Sequence, residues 1–429
     1  MSEALAAWLA GQRWFAGKTG RIQRVEVEDE IRLGAEALRI TAVTFEDGRR
    51  DRYLVAGDVP RDAGAAGDAL DEPGLALALL ALVAEAAEVR GRRGRIVASR
   101  TAAFPAAPPP ALVVRRIGGE QSNTSLAFGD RAIMKVFRRL APGVNPEAEL
   151  TGFLTEAGFP HAPALWGALD YVDDAAPAAL AVVQALVPAA TDGWQWVLAQ
   201  LRADPTATLP ALRRLGEVTG ALHATLAAGR GPWLVPEPIT DADLAAWAAA
   251  VEAQVERARA VADDGGPPAP DVRRALAGLA ECVKIRHHGD FHLGQTLRRP
   301  DGDWVVIDFE GEPLRPLEER RRKHTPLRDV AGMLRSFGYA AATAPAPAAW
   351  EEQAREAFVA GYRARTAGAP FVPAGEAAFR RAVAAFETEK AAYEILYEAS
   401  HRPDWLPIPR RGLLSAVARL RKAPAAGAA

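Results

Sequence analysis

The chain of 429 residues carries 52 Lys and Arg against 54 Asp and Glu, a formal net charge of −2 at pH 7, with 49% hydrophobic and 25% charged residues. This is the profile of a globular protein long enough for two or three domains with sizeable cores, and it excludes broad disorder. It also lacks the global basic field that gathers nucleic acid or an anionic membrane, so the expected partner is a small molecule, with no nucleic acid and no membrane.

The chain starts Met1-Ser2-Glu3, and its first apolar stretch is interrupted by Arg13, Trp14 and Lys18 without a basic leader or a small-residue cleavage site, so no signal peptide is expected. Cys282 is the only cysteine, which precludes an intrachain disulfide or a cysteine-based metal site and fits a reducing cytoplasm. The longest apolar windows, such as Gly74 to Ala84, end at Glu85 and Glu88 and are too short to span a membrane.

In chain order, residues 1–95 read as a small mixed unit: a short N-terminal helix, alternating segments around Arg24 to Thr44 and Asp51 to Val55, and a Leu/Ala stretch from Leu75 to Val89. The prolines of Phe104 to Pro110 make a rigid connection. Ala111 to Arg115, Ser125 to Phe128 and Arg131 to Phe137 read as strands of a hairpin-rich sheet, with a turn at Phe128-Gly129-Asp130-Arg131. Asn145 caps the next helix, Pro146 suits its first position, Glu147 and Glu149 lie in its first turn, and Gly158 with Pro160 ends it. Leu180 to Val187 reads as a buried strand, and helical periodicity dominates beyond it. Thr240 with Asp243 caps a helix reaching Val261, which Asp263 to Pro268 stops; Trp304 to Phe309 reads as a strand. The resulting parts are a cap (1–95), a β-rich lobe (96–188) and a helical lobe (189–429), an α+β architecture.

The sharpest chemical signal is His288-Gly289-Asp290-Phe291-His292-Leu293-Gly294-Gln295, followed after a short turn by Val306-Ile307-Asp308-Phe309-Glu310. Phosphoryl transfer needs a carboxylate to orient and deprotonate the attacking hydroxyl, and carboxylate or amide oxygens to hold a metal at the nucleotide phosphates. Asp290, Gln295 and Asp308 supply those types in that order; the plain alternative is an Asp290 that caps a turn and an Asp308 that ends a strand. Upstream, Gly118 to Ser125, including Gln121, Ser122, Asn123, Thr124 and Ser125, lies between two predicted strands where backbone N–H groups could approach phosphates. Lys135 sits mid-strand among apolar residues and needs an anionic partner if buried, namely the nucleotide phosphates and a carboxylate of the following helix, with Glu149 preferred over Glu147. Otherwise it is an edge-strand lysine facing water. The adenine is expected against the segment from Gln184 to Val187.

These motifs resemble those of aminoglycoside-phosphotransferase-like kinases, and the wider pattern is similar to actinobacterial maltokinases. That pattern takes in Gln12 to Lys18, Arg286 to Leu297, Asp308 to Pro313, Pro326 to Phe337 and His401 to Pro409. The resemblance implies a bilobal protein-kinase-like fold with a small β-containing cap and a mainly helical C-lobe. It implies ATP and Mg²⁺ as cofactors, Asp290 as catalytic base, and Gln295 and Asp308 at the metal, with Glu310 assisting there or lining the cleft. His288 is expected to brace the loop, with Asp290 the base.

For the acceptor, Lys390, Glu394, Tyr397 and His401 recur at i, i+4, i+7 and i+11 and share one helix face, with Tyr393, Glu398, Arg402 and Trp405 close in sequence. Charged groups beside aromatic rings suit a sugar, although ordinary helix-surface pairs and a core tryptophan would read alike. The expected function is an ATP-dependent sugar kinase making maltose 1-phosphate, a step of glycogen biosynthesis. Ser400 stands where maltokinases commonly carry arginine, which keeps glucosamine or another hexose open, and a non-catalytic nucleotide-binding scaffold is the alternative of another class. Homodimerisation, or association with an enzyme of trehalose or maltose metabolism, stays open.

Overall fold

The computed structural model describes residues 3–18, 20–57, 67–106, 113–118, 122–261, 270–313 and 315–422. The chain divides into two compact units, one of Met1–Gly158 with Ala162–Pro188 and one of Phe159–His161 with Ala189–Ala429.

The first unit runs α1 (Glu3–Gly11), β1 (Ile22–Leu33), β2 (Glu36–Phe45), β3 (Arg50–Ala56), α2 (Pro73–Glu85), β4 (Glu88–Arg90) and β5 (Arg95–Arg100). It continues with β6 (Val114–Ile117), β7 (Asn123–Phe128), β8 (Ala132–Phe137), β9 (Arg139–Leu140), α3 (Pro146–Glu156), β10 (Leu165–Val172) and β11 (Ala178–Ala185). One sheet has the order β1-β2-β3-β9 and a larger one β4-β5-β10-β11-β8-β7-β6. The chain passes from β8 straight into β9, so the first 95 residues and the strands beyond them share one unit.

Between the two sheets' strands, α2 contributes Leu75, Leu79, Leu80 and Val83 to a core that also holds Ile40, Leu126, Met134 and Leu169. Pro at its first turn suits α2, and Ala86 in the left-handed region (φ 49°) ends it. Arg138 is 0% exposed at the β8–β9 junction. Its guanidinium pairs with Asp68, donates to the Thr124 hydroxyl at 2.8 Å and lies 4.9 Å from the Trp14 ring. Burial of such a cation is tolerated because each side of it is paired.

The second unit runs β12 (Thr191–Asp192), α4 (Gly193–Ala203), α5 (Thr208–Ala227), β13 (Glu237–Pro238), α6 (Asp241–Val261), α7 (Val272–Leu276) and β14 (Val283–Lys284). It continues with β15 (Thr296–Arg298), β16 (Trp304–Val306), α8 (Leu317–Arg320), α9 (Leu327–Thr343), α10 (Trp350–Arg365), α11 (Glu376–His401) and α12 (Pro407–Lys422). It is mainly helical. The helices α5 and α10 meet at glycines: a Cβ on Gly216 would overlap the Phe358 carbonyl, and one on Gly361 the Arg213 carbonyl. That close approach fixes the scaffold behind the hairpin of β15 and β16. Among the described residues no helix is long and apolar enough to cross a membrane.

Most expected elements form with shifted ends. Asn145 accepts from the Glu147 N–H at 2.8 Å and caps α3, and Thr240 with Asp243 caps α6. The strand expected from Trp304 to Phe309 stops at Val306, because Asp308 adopts a left-handed backbone (φ 65°) that no ladder continues. The strand expected over Ala111 to Arg115 is Val114–Ile117, with residues 111 and 112 outside the description. Part of the proline connection (107–110), Gln121 and the loop from Asp263 to Pro268 also lie outside the described residues.

Candidate active site

In the first unit the strand register sorts the nucleotide-side candidates by face. Ser125 opposes Lys135 on β8, Lys135 opposes Val182, and Asn123 opposes Phe137, so their side chains share one face of the sheet. The helix α3 packs there, since Ala148 lies against the cluster that Phe137, Leu165, Ala168, Ala179 and Val182 form. On the same face Gln184, two residues along from Val182, donates its amide to Glu147 at 2.8 Å. Glu147 is 1% exposed, whereas Glu149 is half-buried. The buried carboxylate of α3 on the Lys135 face is thus Glu147.

Thr124 points to the opposite face, where Arg138 engages its hydroxyl. Ser122 is exposed just before β7. Gln184 is buried, with its backbone in the β8–β11 ladder and its amide on Glu147; Val187 follows the end of that ladder, half-buried.

In the second unit, β14 leads into a loop whose backbone is clamped by one carboxylate. Asp329, near the start of α9, accepts the N–H groups of His288 at 2.8 Å and Gly289 at 2.9 Å, and meets His223 Nε2 at 3.0 Å. Asp329 is buried, which alone would raise its pKa, yet His287 and His223 hold it well below the usual carboxylate range. His288 accepts the Asp290 N–H at Nδ1 (3.3 Å), so its Nε2 donates to the Ile307 carbonyl at 2.9 Å. The ring therefore ties the loop to the strand end, the bracing part expected for it. His292 receives the Gly294 N–H and starts the single turn that carries Gln295.

The Gln295 and Asp308 side chains meet across the hairpin, the amide donating to the Asp308 carboxylate at 2.9 Å. Glu310 lies nearby, its carboxylate within 4.8 Å of that of Asp308, and Arg320 approaches it at 3.8 Å. An amide oxygen and a carboxylate held together at the end of a hairpin are hard oxygen donors of the type Mg²⁺ takes when phosphates complete its shell.

A cavity opens beside Asp290, lined by residues of the loop that bears it, α6, α9 and α11, with Glu312 and Arg315 from the segment after the hairpin. Lys390 bridges two carboxylates, Asp290 at 3.0 Å and Glu312 at 2.9 Å. Burial would lower the Lys390 pKa, but Asp290 and Glu312 outweigh it and raise it. Burial would likewise raise Glu312, and Lys390, Arg315 and Arg328 hold it well below the carboxylate range. Arg315 also pairs with Glu312, and Glu389 is paired by Arg328 at 3.2 Å and Arg315 at 3.6 Å.

Tyr393 lines the same cavity, its ring 5.0 Å from the Lys390 ammonium. From it an aromatic row leads along α11: Tyr393 stacks with Tyr397, and Tyr397 with His401 at 4.4 Å. Arg402 lies over both Tyr397 and Trp405. Glu394, expected on this face, and Glu398, expected close by, pair within the protein. Glu394 binds Arg335 at 2.8 Å, and Glu398, 1% exposed, accepts from Tyr339 and Arg402. They anchor α11 to α9 and to its own C-terminal end.

Sequence reasoning did not single out Glu312, Arg315, Arg328, Asp329 or Glu389. Glu312, Arg328 and Asp329 lie inside the motifs that carry the resemblance, and Glu389 is the neighbour of Lys390; nothing marked Arg315.

A loop carboxylate beside a polar cavity, with an amide–carboxylate pair on the adjoining hairpin, is a donor set compatible with phosphoryl transfer. Residues 113–371, more than half of the chain, match the model of the phosphotransferase enzyme family, and residues 8–92 match the maltokinase N-terminal cap domain. A glucosamine kinase of Streptacidiphilus jiangxiensis is 33% identical over 328 residues, 70% of this chain and 72% of that protein. A glucosamine kinase of Mycolicibacterium smegmatis is 32% identical over 329 residues, 70% of this chain and 78% of that protein. A solved glucosamine kinase in complex with glucosamine, ADP and inorganic phosphate superposes with a TM-score of 0.70 at 27% identity, covering 93% of this chain and 96% of that one. The chain belongs to the phosphotransferase enzyme family, with its α+β kinase fold and a maltokinase-type cap. It is an enzyme, a sugar kinase that uses ATP.

Proposed function

We propose that this kinase transfers the γ-phosphoryl group of ATP to the anomeric hydroxyl of maltose, with Asp290 as the base. The observation that carries this reading is the placement of Asp290 at a polar cavity from which the row Tyr393, Tyr397, His401 leads away along α11. The polar groups around Asp290 offer hydrogen-bond partners to sugar hydroxyls, and the aromatic row is of the kind that stacks on a pyranose face.

In the transfer, the acceptor oxygen forms a bond to the γ-phosphorus as the bond to the β,γ-bridging oxygen breaks, ADP leaves, and the hydroxyl proton passes to Asp290. Lys390, bonded to Asp290, fixes the direction of that carboxylate. Gln295 and Asp308 would hold Mg²⁺, with Glu310 beside them, and the ion would neutralise charge on the phosphates. Lys135 would pair with the α- and β-phosphates, with Glu147 in place of the expected Glu149 as its supporting carboxylate. Ser122, Asn123 and Ser125 border that face.

A second reading, glucosamine as acceptor, is favoured by the names of the relatives. Sugar-dependent ADP release, measured over maltose, glucose, glucosamine and an aminoglycoside, decides between them. Maltose is expected to give the highest kcat/KM and to yield maltose 1-phosphate. Asp290→Asn should remove this activity; an unchanged rate would refute the assignment of the base.

A further inference from the structure

Every carboxylate on the cavity already has a partner within the protein. Asp290 and Glu312 share the Lys390 ammonium, Glu312 and Glu389 share Arg315, and Glu389 also has Arg328. Asp329 is engaged by His223 and two backbone N–H groups. Asp290 and Glu312 are thus bridged by an ammonium at 3.0 and 2.9 Å, hydrogen-bonding distances for a charged pair. The space between these two carboxylates is therefore already filled by the chain's own cation.

We infer that Lys390 is an internal ammonium that sets the acceptor class, so that the enzyme takes a neutral polyhydroxyl sugar and discriminates against its 2-amino counterpart. The inference rests on the kinase reading above and deepens it. A neutral hydroxyl donates to Asp290 or Glu312 and accepts from Lys390 or an arginine without changing the charge of the site. An incoming ammonium meets Lys390, Arg315 and Arg328 and must displace a cation that α11 holds in place; like charges set side by side in an interface are a principal source of rejection. The raised pKa of Lys390 agrees with this, since the lysine stays charged at any working pH.

The test uses the full chain with ATP and Mg²⁺ and the matched pair glucose and glucosamine, as acceptors or, where maltose alone reacts, as competitors of maltose. Wild type is expected to favour glucose by about tenfold or more, the scale of one like-charge contact. Lys390→Met should move the glucosamine-to-glucose ratio at least about tenfold towards glucosamine, whereas Lys390→Arg should keep the wild-type ratio. Adding Glu312→Gln to Lys390→Met should cancel the gain, because the carboxylate that receives the foreign ammonium is then gone. A wild-type preference for glucosamine, or an unmoved ratio in Lys390→Met, overturns the inference while leaving the kinase reading intact. If wild type phosphorylates none of the sugars, the kinase reading itself fails. A wild-type preference for glucosamine overturns the inference even where a variant does not fold.

Discussion

Gln295 donates its side-chain amide to the carboxylate of Asp308 at 2.9 Å, across a hairpin whose far strand ends where Asp308 turns to φ 65°. A non-glycine residue there is uncommon, and Asp and Asn are among those that tolerate it. The backbone turn takes Asp308 out of the ladder and aims it at its neighbour, so the strand's early end and the paired donor set have one cause.

The expected consequence is a graded response to metal. Asp308→Asn keeps the tolerated backbone conformation but removes the charge, and should lower kcat by about 10²–10³-fold at saturating Mg²⁺. Gln295→Ala leaves the carboxylate in place and should instead raise the Mg²⁺ concentration for half-maximal rate about tenfold or more. Mg²⁺ titrations of initial rate separate the two. Equal Mg²⁺ curves for Gln295→Ala and wild type would exclude it as a ligand.

A parallel comparison concerns α3. Glu147 is buried and hydrogen-bonded by Gln184 on the sheet face that carries Lys135, while Glu149 is half-buried. Glu147→Gln should raise the KM for ATP about tenfold, the scale of one charged hydrogen bond at about 1.5 kcal/mol, and leave the KM for the sugar near its wild-type value. Glu149→Gln should change neither by more than about twofold, because Glu149 is less buried than Glu147, the residue that Gln184 bonds. The reverse order of effects would return the supporting part to Glu149.

These cases show what the sequence made legible. His288 to Gln295 and Val306 to Glu310 belong to one local hairpin, so their order along the chain already implied that they meet. The helix α3 was legible from Asn145 and Pro146, but its phase was not: both glutamates lie in the first turn, and a glutamine on a distant strand decides which is buried. On α11 the periodicity found one face and could not show that α9 also packs there, engaging Glu394 through Arg335 and Glu398 through Tyr339. The pairs of Lys390 with Asp290 and Glu312, and of Glu389 with Arg315 and Arg328, join separate elements, a relation that spacing within one element does not carry.

The loop that bears Asp290 is also where acid should act first. His287 is buried there, and burial, with Arg328, His223 and Arg286 nearby, pushes its pKa from 6.5 down to about 4 against the opposing pull of Asp329. Burial lowers His292 and His324 in the same direction. A histidine kept neutral by the fold binds its proton in the unfolded chain first. Its neutrality therefore costs nothing above the unfolded value near 6.5, and stability falls as pH drops from there to about 4. Asp329, held low, stays ionised through this window and acts only in stronger acid. Between pH 7.5 and pH 5 the His287 contribution is a loss of about 2 kcal/mol, since each pKa unit corresponds to about 1.4 kcal/mol. Urea unfolding across that range should show the decline in wild type and a shallower one in His287→Gln. A wild-type midpoint that does not move between these two pH values would rule the mechanism out.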